Sequence, residues 1–114
     1  MPVRGVRRRY IGFRVDADTK LAGEEIFETI HSKALELYGV KGASAASLSV
    51  ISYDGDEDRG VIRCSHESLR RTRAALAMIS IISGSSAAIR VDRVSGTLKG
   101  LRLKTAKQEP GDIY

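Results

Sequence analysis

Residues 10–15 alternate with a period of two, Ile11, Phe13 and Val15 on one side and Tyr10, Gly12 and Arg14 on the other. Successive side chains of a strand point to opposite faces, so this is a strand with one buried face. A lone strand cannot cover that face, and the following segments supply the cover. Residues 23–38 switch to the helical period, with Ile26, Phe27, Ile30, Ala34 and Leu37 on one stripe. Glu24 and Glu25 sit in the first turn, where the helix dipole favours negative charge, and Gly39 is expected to end the helix. Period two returns over residues 47–53, with Leu48 and Val50 on one side and Ser49, Ile51 and Tyr53 on the other. An acidic turn, Asp54-Gly55-Asp56-Glu57-Asp58, joins this strand to residues 60–64, a hairpin partner with Ile62 and Cys64 inward and Val61 and Arg63 outward. Ser65 is expected to cap a second helix over residues 67–82, with Leu69, Thr72, Leu76 and Ile79 inward and Gly84 as its stop. A last strand, 87–94, and a short helix, 98–104, complete the pattern.

The order strand, helix, strand, strand, helix, strand predicts an α+β fold of the ferredoxin-like or RNA-recognition-motif-like type. Its four-stranded antiparallel sheet carries both main helices on one face, with the short C-terminal helix added. A length of 114 residues fits one domain, here residues 10–104, between a basic arm at 1–9 and a tail at 105–114. In this topology the first and third strands are central. The open face then presents Tyr10, Arg14, Val61, Arg63 and Arg90, without the aromatic platform on which RNA-recognition motifs stack bases.

Lysine and arginine outnumber aspartate and glutamate by 19 to 14, and the net charge of +5 favours an anionic partner. Arg4, Arg7, Arg8 and Arg9 in the arm, and Lys99, Arg102 and Lys104 near the other end, are candidate phosphate contacts. Arg14 and Arg63 on the sheet join them. The first and last strands are neighbours in this topology, so the two basic ends are expected to form one patch. Residues 74–82 are apolar almost all round, and Met78, Ile81 and Ile82 fall off the inner stripe of the second helix. They either pack on the first helix or the C-terminal segment, or bind another protein; a protein interface is the expectation.

Catalytic chemistry finds little support. His31 and His66 have no partner at metal-pair spacing, and Cys64 faces the core. The acidic turn lacks the spacing of a calcium loop. No cofactor or metal is expected on the chain. The single cysteine and the lack of a long apolar run suggest a soluble, cytoplasmic protein.

Three stretches, Arg9-Tyr10-Ile11-Gly12-Phe13, Gly60-Val61-Ile62-Arg63-Cys64 and Val94-Ser95-Gly96-Thr97-Leu98-Lys99, occur in the order and spacing of the ribonuclease P protein component 2 family, which the chain resembles. The compact length resembles its archaeal members. The start of the first helix departs from the family, with Lys20-Leu21-Ala22-Gly23 where acidic and aromatic residues are common. The resemblance implies a non-catalytic, RNA-binding subunit of ribonuclease P. It would help the catalytic RNA, which uses bound magnesium, to remove the 5′ leader of precursor tRNA. It also implies as partners the catalytic domain of that RNA, the TIM-barrel-like ribonuclease P protein component 3 and other protein subunits, with a two-plus-two heterotetramer as one assembly. A stand-alone binder of single-stranded RNA and a ferredoxin-like protein-interaction module are the alternative readings of the same residues.

Overall fold

The structure, a computed structural model, describes residues 7–102. The elements are β1 (Arg8–Ala17), α1 (Gly23–Ala46), β2 (Ser49–Asp54), β3 (Arg59–Ser65), a 3-10 turn (His66–Ser68), α2 (Leu69–Ala77), β4 (Ile81–Ile82) and β5 (Ser85–Ser95). Residues 98–102 begin a further helical segment. The antiparallel sheet has the order β2-β3-β1-β5-β4, five strands where four were expected. β1 and β3 are interior, as anticipated, and the long C-terminal strand lies beside β1.

The extra strand comes from the apolar run of residues 74–82. The helix stops at Ala77, and Ile81–Ile82 pair with Ser86 and Ser85 of β5. Ser83 and Gly84 form the two-residue loop, with φ of 51° and 80°. Positive φ at both central positions is what a type I′ hairpin turn requires, and it suits the twist of the strands it joins. The turn is pinned to the start of α1. Ser83 Oγ donates to the Glu25 carboxylate at 2.8 Å, and the Ala22 backbone N–H donates to the same carboxylate at 2.9 Å. Those bonds, the backbone one foremost, hold the Glu25 carboxyl below the usual range.

Other boundaries shift for local reasons. Gly39 leaves the helical region (φ 73°, ψ 177°), but the chain re-enters a helix and continues to Ala46. Ser65 makes no side-chain cap; its hydroxyl donates instead to the Ala45 carbonyl, tying β3 to the end of α1. A register shift between Val50 and Ser52 turns Tyr53 toward the helices, not outward with Ser49.

The core lies between the sheet and both helices. Ile11, Phe13 and Val15 from β1 meet Ile26 and Ile30 of α1, Ile62 and Cys64 of β3, and Leu76 and Ile82. Phe13, Phe27 and Tyr53 continue it as two edge-to-face contacts, with centroids 6.4 and 6.3 Å apart. Gly60, opposite Phe13, makes room for that ring: a Cβ there would sit 2.6 Å from Phe13 Cζ.

Candidate nucleic-acid interface

The three stretches singled out by spacing become neighbours in space. β1 pairs on one side with β3, Tyr10 opposite Arg63, and on the other with β5, Tyr10 opposite Ser95. They therefore occupy three adjacent strands at one end of the sheet.

That end carries the first cluster of cations. Arg7 and Arg8 are exposed. Arg9 is half-buried, and its Nε donates to His66 Nδ1 at 2.8 Å, which requires that nitrogen to be unprotonated. The Arg9 guanidinium also lies against Gly96, where a Cβ would be 2.8 Å from Nη1. The first strand is thus fastened to the turn that precedes residues 98–102. Thr97 starts that helical segment, its hydroxyl accepting from the Gly100 N–H at 2.9 Å, and Leu101 anchors it at 1% exposure. Lys99 and Arg102 are left exposed. The approach of Arg9 to Gly96 brings the first strand to the turn before Lys99 and Arg102, with Arg7 and Arg8 exposed at the start of β1. Arg4 and Lys104 lie outside the described residues.

The second cluster occupies the sheet face turned away from the helices. Across β3, β1 and β5, Arg59, Arg14 and Arg90 stand in one row. Like charges directly opposite each other on a sheet repel, and an anion relieves that repulsion. Arg90 is partly neutralised by Asp16, with Nε to carboxylate oxygen at 2.7 Å, in an exposed pair. One row further along, the order is Ser52, Val61, Gly12, Arg93. A register shift between Gly12 and Phe13 sets Arg93 opposite Gly12. Its side chain lies across that glycine, since a Cβ at position 12 would be 2.6 Å from Arg93 Cζ. Val61, expected to be outward and open, is only 8% exposed. Arg93 and Arg59 were not among the residues marked in the sequence. Arg59 adjoins a marked stretch, whereas the placing of Arg93 depends on a bulge that composition does not reveal.

The remaining marked residues divide. Met78 and Ile81 are 57% and 61% exposed. Ile82 is fully buried and belongs to the core. It leaves the interface set, because the strand pairing turns it inward. Cys64 is 1% exposed; burial raises its thiol above the ordinary range, with the Thr72 hydroxyl and Arg9 acting in the opposite direction. Among the described residues there is no cluster of three or more metal-ligating side chains, and no helix is long and apolar enough to cross a membrane.

Known proteins resemble this chain over nearly its whole length. The ribonuclease P protein component 2 of Pyrococcus horikoshii is 33% identical over 98 residues, covering 86% of this chain and 82% of its own length. That of Pyrococcus furiosus is 33% identical over 102 residues, 90% and 85% of the two chains. The Archaeoglobus fulgidus protein of the same name is 32% identical over 98 residues, 86% and 87%. A chain in the cryo-EM structure of yeast ribonuclease MRP superposes with a TM-score of 0.68 at 12% identity, covering 97% of this chain and 96% of that one. The likeness read from the three stretches is borne out, for the model of the Rpp14/Pop5 family matches residues 9–106, and the chain belongs to that family.

Proposed function

We propose that this chain is a non-catalytic, RNA-binding subunit of ribonuclease P that assists the catalytic RNA in removing the 5′ leader of precursor tRNA. The observation that carries the reading is the placement of the arginines. One face of the sheet and one end of it hold Arg7, Arg8, Arg14, Arg59, Arg63, Arg93, Lys99 and Arg102 on a framework belonging to the Rpp14/Pop5 family. Such side chains screen phosphates, so a folded RNA tolerates close packing of its backbone at lower magnesium. Magnesium in this reading belongs to the RNA, and no residue of this chain is assigned to it.

The exposed Met78 and Ile81 beside the short edge strand form the surface for a protein partner, with ribonuclease P protein component 3 and a two-plus-two assembly as the expectation. Cleavage of precursor tRNA by the reconstituted RNA, with and without this protein and that partner, tests the reading. A rise in rate or a fall in the magnesium requirement supports it; no change in either refutes it. Replacing Lys99, Arg102 and Lys104 with alanine should reduce the log-log salt slope of RNA binding by about one unit for each phosphate that is no longer neutralised.

A further inference from the structure

One cation at the end where the three stretches meet is held in place, while its neighbours are solvated. Arg9 leaves β1 on the same side as Ile11 and Phe13, opposite Cys64. Its Nε donates to His66 Nδ1 at 2.8 Å. The histidine is itself tied to the same strand, for its backbone N–H donates to the Arg7 carbonyl at 2.7 Å. On another side Nη1 lies against Gly96, just past β5: a Cβ there would be 2.8 Å from Nη1, with Cζ next at 3.9 Å. The start of β1, the turn after β3 and the turn after β5 thus meet on one guanidinium.

The charge held there is not neutralised. Among the described residues no acid lies within ion-pair distance of Arg9. His66 accepts through Nδ1 and is therefore neutral. Nor is the guanidinium sealed in: Arg9 is half-buried, and none of its nitrogens is a buried donor without a partner, in contrast with Arg63 and Arg93. A carboxylate in place of the imidazole would grip the arginine more strongly, but it would also cancel the charge. A neutral acceptor fixes the orientation and leaves the full charge for an anion. Arg7 and Arg8 precede Arg9 on the strand and Lys99 follows Gly96 closely, all three exposed, so the local field favours a polyanion.

We propose that His66 is a positioning residue, holding the Arg9 guanidinium against Gly96 as a fixed anchor for one backbone phosphate of an RNA. The assignment rests on the RNA-binding reading above and adds the two residues that set the anchor's geometry, neither of which brings a charge of its own. A solvated arginine gives up rotamer freedom when it grips a phosphate; one already held at its Nε gives up less. The ligand is a phosphodiester, so the contact carries no base preference.

Two substitutions at position 66 separate the acceptor from the bulk of the ring. Asparagine can place an oxygen where the imidazole has Nδ1, and leucine has the same branched shape without an acceptor. Gly96→Ala displaces Nη1 directly and leaves His66 and every charge in place; the space it takes is that of a flexible side chain's far end, so the fold accommodates it. Binding of the full chain to the reconstituted ribonuclease P RNA would be measured by filter binding over a range of salt, with thermal melts as a check on folding. The Arg9 Nε–Hε resonance would be followed by NMR in the free protein. Arg9→Ala should weaken binding about 10-fold and lower the log-log salt slope by about one unit. His66→Leu and Gly96→Ala should weaken it by a similar factor, and His66→Leu should shift the Arg9 Nε–Hε signal. His66→Asn should stay within about twofold of wild type, and His66→Leu should add nothing to Arg9→Ala. A folded His66→Leu protein that binds like wild type, equal losses in His66→Asn and His66→Leu, or additive losses in the double variant would overturn the assignment. If His66→Leu does not fold, Gly96→Ala decides, and wild-type affinity there removes the anchor. Any of these results with stimulation of precursor-tRNA cleavage intact would leave the ribonuclease P reading standing. A wild-type chain that neither binds the RNA nor stimulates cleavage would remove both.

Discussion

Truncating Met78, Ile81 and Ile82 one at a time separates the observed hairpin from the longer helix that the sequence suggests. Ile82 is completely buried. Replacing it with alanine removes three carbons at about 0.8 kcal/mol each, or about 2.4 kcal/mol of transfer free energy. The residual cavity adds to this and brings the loss to about 3–4 kcal/mol, within the range for buried isoleucine truncations. Ile81, next to it, is 61% exposed. Its truncation forfeits only the covered fraction, about 1 kcal/mol. Met78 is 57% exposed and should behave like Ile81. Urea titration followed by circular dichroism measures all three. At about 4 °C per kcal/mol for a domain of this size, Ile82→Ala should lower Tm by roughly 12–16 °C. In a continued helix, Met78, Ile81 and Ile82 would share the outer side, and the three truncations would be equally mild. Equal losses at Ile81 and Ile82, or a loss below about 1 kcal/mol at Ile82, would refute the strand assignment and the core drawn around it.

Three further outcomes follow from single side chains. Tyr53 is pushed up to about 12 from 10.0, first by burial and then by Asp58, which accepts a hydrogen bond from its hydroxyl, and by Asp54. The neutral phenol is the favoured form in the fold. Its stabilisation is therefore full below pH 10 and lost as pH rises through about 12, and Tyr53→Phe should delete the last tyrosinate step at 295 nm. Cys64, 1% exposed with a raised thiol, should react with a disulfide reagent only at the rate of unfolding; fast labelling of native protein would contradict the burial. Gly60→Ala should cost about 1–3 kcal/mol in urea titrations, because its Cβ would press on Phe13 at 2.6 Å and on Tyr53 at 2.9 Å.

The parts that were legible in the sequence are those with a strong local period. β1 is readable from Ile11, Phe13 and Val15, all of which are buried, and α1 from Ile26, Ile30 and Ala34. The acidic hairpin turn is readable from composition, and the pairing of β1 with the long C-terminal strand follows from topology. The run from Ala74 to Ile82 was not, because a short apolar segment satisfies helix and strand templates alike. The missed signal was Ser83-Gly84 after two β-branched residues, a hairpin loop in place of a helix stop. The site divides similarly. Exposed cations at Arg14, Lys99 and Arg102 stand where alternation and the terminal helix place them. Arg93 could not be found this way, since the bulge shifts β5 by one residue and only Gly12, two strands from β2, leaves the space it fills.

The acidic turn between β2 and β3 has an effect beyond closing a hairpin. Asp54, Asp56, Glu57 and Asp58 gather there with Asp16 and Asp18 near the same edge, while Arg7, Arg8, Lys99 and Arg102 lie at the opposite one. The run of β1 from Arg8 to Arg14 separates the two by about 20 Å. Arg14, Arg59, Arg90 and Lys20 offset part of the acidic end, Arg90 by pairing with Asp16 and Lys20 with Asp58. On the RNA-binding reading proposed above, the field of the RNA would exert a torque on the remaining imbalance before any surfaces touch. Added salt shortens the reach of that torque to a Debye length, about 8 Å at physiological ionic strength, so the orientation is set in the last moments of approach.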